Sequence, residues 1–156
     1  MSHFGLGRDD AALIVPAFAV AEYSLTAGAG TDNVEKTAAA LDLRDQFDTT
    51  RFGTAIAVIA ATATLAAGAT LTVSAIWEHS ADGGVYTEIG TDKVILTLTG
   101  PTGGGTVTGA GKLGCNLLEA ERFVRVKYTP DLSAANTDTA KVGVSYVLSS
   151  PTQIGG

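Results

Sequence analysis

The chain of 156 residues has one cysteine, two histidines, one tryptophan and no run rich in lysine or arginine. Each shortage closes a route. A single cysteine, Cys115, allows no intrachain disulfide and no cysteine-based zinc site, so the fold does not depend on an oxidising compartment. Ten basic residues against sixteen acidic ones give a net charge of −6. A nucleic-acid binder needs a basic face to displace counterions, so no nucleic-acid partner is expected. The one continuous apolar run, "AALIVPAFAVA" at 11–21, falls well short of the roughly 20 residues that cross a bilayer. Asp9 and Asp10 precede it where a signal peptide carries positive charge, so secretion by that route is not expected and no membrane partner is assigned.

What the chain does have is alanine, threonine and 19 glycines in a composition that is 46% apolar and only 6% aromatic. That mixture suits many short strands and turns better than a helical bundle, within one domain. From residue 36 onward, period-two patterning dominates. Leu71, Val73, Ala75 and Trp77 face one way, and Thr70, Thr72, Ser74 and Glu78 the other. Val124, Val126 and Tyr128 alternate with Phe123, Arg125 and Lys127, and Ala140, Val142, Val144, Tyr146 and Leu148 form a further series. Side chains on a strand point alternately to its two faces, so each run reads as a strand with one wet face. The pattern therefore predicts Val73, Trp77, Val126, Val144 and Tyr146 inside, and Thr72, Glu78, Arg125 and Lys141 outside.

Strands follow strands with turns such as "AAGA", "ADGG" and "GPTGGG" between them, which excludes a parallel βαβ sheet. The expected fold is all-β: an antiparallel two-sheet sandwich or jelly roll of about eight strands. Residues 1–35 stand apart as an N-terminal arm and linker, followed by a sandwich domain over 36–150 and a tail over 151–156. Within the arm, helix, strand and extended tether all remain open at this stage. It could pack on its own domain, dock on another subunit or lie on a membrane surface, the last disfavoured by the lack of lysine and arginine.

Four stretches were tested for chemistry. "HSADGG" at 79–84 offers His79, Asp82 and, with Glu78 and Glu88 nearby, a set of possible cation ligands. A calcium loop, however, needs oxygen ligands at regular positions where Val85 and Tyr86 stand, and Asp-Gly-Gly between strands reads as a hairpin turn. "GPTGGGTVTGAGK" at 100–112 has Thr106 where a phosphate-binding loop needs its first glycine, and Leu113 where it needs Ser or Thr. It reads as a surface loop with a possible contact role. His3 and His79 give a Ser-His-Asp arrangement little to work with; of the carboxylate pairs Asp9/Asp10 and Asp45/Asp48, the second, beside Arg44 and Arg51, reads as local ion pairing or turn capping rather than a glycosidase pair. Cys115, with no histidine near it in sequence, reads as a small buried hydrophobe. No enzyme activity, cofactor, metal or small-molecule substrate is expected.

Residues 41–149 carry a resemblance. "LDLRDQFDTTRFGTAIAVIAATATLAAGATLTVSAIWEHSADGGVYTEIG" followed by "ERFVRVKYTPDLSAANTDTAKVGVSYVLSS" resembles jelly-roll capsid cement (decoration or stabilisation) proteins of tailed double-stranded-DNA phages. The resemblance implies a non-enzymatic virion protein on the outer surface of the head. It would tie capsomers together as a homo-oligomer, dimer or trimer, against the major capsid protein. The alternatives are a carbohydrate- or receptor-binding sandwich, which would need an aromatic platform, and another phage part such as a tail or head-completion protein. The arm lies outside the resemblance. Its apolar side chains Leu13, Ile14, Val15, Phe18, Val20 and Tyr23 are the expected partner interface, because an uncovered apolar segment is a liability in water.

Overall fold

The structure, a computed structural model, describes residues 14–44, 51–133 and 137–153. Among them run nine strands: β1 (Val15–Thr26), β2 (Lys36–Thr37), β3 (Leu41–Asp42), β4 (Arg51–Leu65), β5 (Thr70–Ser80), β6 (Thr87–Thr99), β7 (Gly105–Asn116), β8 (Phe123–Leu132) and β9 (Thr139–Gln153). One sheet has the order β1-β9-β4-β7; the other runs β2-β8-β5-β6, with β3 also on β8. All pairings are antiparallel. If β2 and β3 are taken as two pieces of one interrupted strand, two four-stranded sheets face each other in a jelly roll. The nine strands stand against an expected count of about eight.

The interruption falls at Ala38, where the chain leaves β8 and reaches the other sheet. The Ala38 N–H still donates to Val126 O at 2.9 Å, while Ala39 N–H turns to Ala19 O on β1 at 3.3 Å. The Val126 N–H facing the gap donates instead to the Tyr146 hydroxyl across the core at 3.0 Å. A buried amide must find some partner, and here a side chain replaces a missing strand.

The core lies where the period-two pattern puts it. Val73, Trp77, Val126, Val144 and Tyr146 are all buried. The Trp77 and Tyr146 rings meet at 5.2 Å between centroids, and the indole N–H donates to Leu113 O at 3.0 Å. Two large rings in one layer leave room only for small residues beside them. Ala57 lies directly beside Tyr146, and the inward phase of β4 continues through Ala55, Ile59, Ala61 and Ala63. At the edge where the sheets close, β7 crosses β6 so tightly that a Cβ on Gly109 would lie 2.7 Å from Leu98, and one on Gly111 would strike the Ile95 carbonyl oxygen.

One expected surface residue is inside. Glu78 is only 5% exposed, although it points away from the core. The reason is that β5 is flanked on both sides, by β6 and β8, and cations from β8 close over it. Arg125 Nε donates to Glu78 Oε2 at 2.8 Å, and Lys127 Nζ lies 3.6 Å from Glu78 Oε1. Arg125 also stacks on the Tyr86 ring at 3.5 Å, and Lys127 reaches Glu35 and Glu88 at 3.3 and 2.9 Å. Arg125 and Thr72 are half-buried; Lys141 is exposed as expected.

Candidate contact surface

Of the readings open for the N-terminal arm, packing on its own domain holds over Val15–Thr26, which form β1, an edge strand of the sandwich laddered to β9 from Val15↔Leu148 to Thr26↔Thr139. The cause lies in its alternating side chains. Ala19 and Leu25 are buried in the common core, and Val15, Ala17, Val20 and Tyr23 pack against it. The strand is irregular: its register shifts between Phe18 and Val20 and again between Val20 and Tyr23. Such bulges bend an edge and discourage another strand from adding to it, as does Pro16, which has no N–H to offer.

The ladder divides the expected interface residues. Val15, Val20 and Tyr23 are half-buried against their own core. Tyr23 is further fixed by its hydroxyl, which donates to Thr31 O at 2.6 Å, and by Lys36 Nζ 4.7 Å from its ring centroid. Ile14 and Phe18 are 42% and 70% exposed, large for apolar side chains. Leu13 lies outside the described residues, as do His3, Asp9, Asp10, Asp45 and Asp48.

What sequence reasoning missed is how this exposed edge continues. Pro16 pairs with Val147, which pairs with Ile56 and so with Gly114; Phe18 aligns likewise with Ser145, Val58 and Lys112. These rows lie on the outer face, opposite the row in which half-buried Ala17 stands beside the buried Tyr146 and Ala57. Ile56, Val58 and Val147 are half-buried by their neighbours alone. Beyond them the same face drops into a hollow lined by Ala21, Ala60, Ala110 and Gly143. Its far side is bounded by Lys141, 3.1 Å from Glu22 Oε1. The Lys141 hydrogen bond holds the Glu22 carboxyl below its ordinary range. The signal available in the sequence was "TAIAVIA", apolar in both phases of its alternation.

The stretches tested for chemistry take structural roles. In "SADGG" the Gly83 N–H donates to Ser80 Oγ at 3.0 Å, and the Asp82 carboxylate accepts from Gly84 N–H at 2.8 Å and Ser80 Oγ at 3.1 Å. The Gly84 bond, with Ser80 and Val85 behind it, lowers the Asp82 pKa. Gly83 has φ of 80°, the left-handed region that a turn here requires. Glu78 and Glu88 are engaged by Arg125 and Lys127, as above. Among the described residues no three His, Cys, Asp or Glu side chains are grouped to hold a metal. The 100–104 segment is a short connection between β6 and β7, closed by Gly104 N–H to Pro101 O at 2.8 Å. Cys115 is buried, and burial pushes its thiol up to about 11.

No protein-family model matches the chain, and no curated protein matches it. Solved structures of similar shape are distant. The VP2 protein of infectious bursal disease virus in derived T=1 particles aligns at 12% identity and a TM-score of 0.45, over 86% of this chain and 31% of that one. Dimeric latent PorU from Porphyromonas gingivalis aligns at 13% identity and a TM-score of 0.40, over 88% of this chain and 12% of that one. Desmodium yellow mottle tymovirus aligns at 9% identity and a TM-score of 0.25, over 92% and 90%. The chain thus spans about a third of the VP2 protein's length.

Proposed function

We propose that this protein is a capsid cement protein of a tailed phage. It would be a non-enzymatic virion component that binds the outer surface of the head through the major capsid protein and works as a homo-oligomer. The observation that carries the reading is a jelly roll whose β1 edge and outer face present Ile14, Pro16 and Phe18 to solvent. This adds to the resemblance of residues 41–149 to cement proteins. A protein of this kind acts through contact area repeated over many copies, so a rigid sandwich with an apolar contact surface suffices. The partner interface assigned to it is Ile14, with Leu13 before it in the sequence, toward the shell and Phe18 toward a second copy, while Val15, Val20 and Tyr23 anchor the strand that carries them.

The carbohydrate-binding alternative needs an aromatic platform, and Trp77, 2% exposed, cannot serve as one. A tail or head-completion role is separated by experiment. Heads purified without this protein are incubated with it, sedimented and imaged. Saturable binding at a fixed ratio to the capsid protein, with heads more resistant to heat, is the expected result. Replacing Leu13 and Ile14 together with aspartate should weaken binding at least about tenfold if these side chains seat on the shell. Binding only to tails, or none to heads, overturns the proposal.

A further inference from the structure

The outer face of the β1-β9-β4-β7 sheet carries both exposed apolar side chains and a hollow lined by small residues. Its centre carries apolar side chains: Pro16, Val147 and Ile56 are contiguous through the strand register, and in the next row Phe18 and Val58 flank the small Ser145. Around them stand polar side chains, Ser149 and Thr54 on one side and Lys112 and Asn116 on β7. An apolar centre with a polar rim is the anatomy of a protein interface. Four strands about 4.8 Å apart, over nine residues at about 3.4 Å each, make a face of roughly 600 Å² in plan. Stable interfaces bury about 1,200–2,000 Å² in total, so a face of this size on each of two copies reaches the range.

Shape decides for a second copy over another occupant. An isologous contact requires one patch to hold both a projection and the recess that receives it. Phe18, 70% exposed, is the projection. The recess is one row further along the strands, where Gly143, Ala60 and Ala110 pair across the sheet. A two-fold axis lying in the plane of the face and oblique to the strands, midway between Phe18 and the recess and perpendicular to the line joining them, sets each Phe18 over the small residues of the other copy. Face-to-face packing is also the mode the edge permits, since Pro16 and the two register shifts on β1 work against strand addition.

We propose that two copies of this chain associate through this face, with Phe18 of each seated on the Ala60–Ala110–Gly143 recess of the other. The claim stands apart from the virion reading, because it concerns the purified protein with no shell present. The test is sedimentation velocity of the full chain over a wide concentration series. The wild type should form a dimer, or a larger assembly containing one, and Phe18→Asp should raise its dissociation constant by more than about tenfold. Ala60→Trp, which fills the recess instead of removing the projection, should do the same. Val85→Asp is the control: Val85 is 80% exposed in the 81–86 turn, away from this face, and its loss should leave association unchanged. Circular dichroism checks that each variant is folded. Independently, Ser145→Cys, beside Phe18 in the register, should crosslink between copies with a short thiol reagent, while the buried Cys115 does not compete. A monomeric wild type overturns the proposal, including the case where residues 1–13 cover the face within one chain. So does association unaffected by Phe18→Asp, equal loss with Val85→Asp, or no crosslink through Ser145→Cys.

Discussion

Replacing Trp77 with alanine tests the core more sharply than any other single change. The indole is 2% exposed, lies 5.2 Å from the Tyr146 ring and donates to Leu113 O at 3.0 Å. Truncating a buried Phe or Trp to Ala costs about 3–5 kcal/mol, because the lost transfer energy is joined by an incompletely collapsed cavity. Here the surroundings are stiff, since the rings are held between two laddered sheets, and the Leu113 carbonyl also loses its donor, for about 1 kcal/mol. The expected loss is therefore at the upper end, about 4–5 kcal/mol. A domain of this size has about 5–15 kcal/mol in all, so the variant should be barely stable. Urea unfolding followed by far-ultraviolet circular dichroism is the assay, since Trp77 is the chain's only tryptophan and the variant has no indole fluorescence. Trp77→Phe, which keeps a ring and drops the hydrogen bond, should lose about 1–2 kcal/mol. A loss below about 1 kcal/mol for Trp77→Ala, with unchanged denaturant slope, would refute the packing described and restore Trp77 as a sugar-binding platform.

Two further outcomes follow from the same core. Gly111→Ala should destabilise by about 1–3 kcal/mol, because its methyl group meets the Ile95 backbone oxygen and backbone cannot move aside cheaply. Gly114→Ala, with nothing within 4 Å of the new carbon, should change stability little, and equal effects of the two in urea unfolding would refute the close β6–β7 crossing. At high pH, Tyr128 is pushed up to about 12 by burial and by Tyr23, and burial raises Tyr146 further still. Both are raised above the ordinary value near 10, so their contribution is intact below about pH 10 and is lost as pH rises towards 12 and beyond. Tyrosinate absorbance should show these two titrating only as the protein unfolds; normal titration of all four tyrosines in the folded state would contradict the burial.

Much of the fold was legible because a strand with one wet face writes its own register. The β5, β8 and β9 series were assigned to the correct sides from alternation alone. Glu78 escaped because alternation reports which face a residue points to, not what covers that face. Two cations on β8, one of them stacked on Tyr86, bury a carboxylate that the pattern alone leaves in solvent. For residues 15–26 the sequence leaves strand, helix and tether open and does not choose among them. Pro16 and the bulges after Phe18 break the period of two, so the segment reads as an arm, while its ladder to β9 depends on residues more than a hundred positions away.

The contact face was hidden for a different reason, and the reason links core to surface. In "TAIAVIAATATL" both phases are apolar, so hydrophobicity cannot say which side is inside. Volume says it instead. Trp77 and Tyr146 fill the layer between the sheets, and β4 meets Tyr146 with the small Ala57, on the inward phase that also holds Ala55, Ile59, Ala61 and Ala63. That choice sends Ile56 and Val58 outward, where Val147 on β9 and Pro16 on β1 stand in register with Ile56. A sequence selected only to fill the core would have no cause to place branched apolar residues on the opposite phase, where threonine serves a strand as well. Further along the same strand it does place threonine, at Thr62 and Thr64. The apolar outer phase is thus confined to the half of β4 that lies level with Pro16 and Phe18, as a patch made for contact would be.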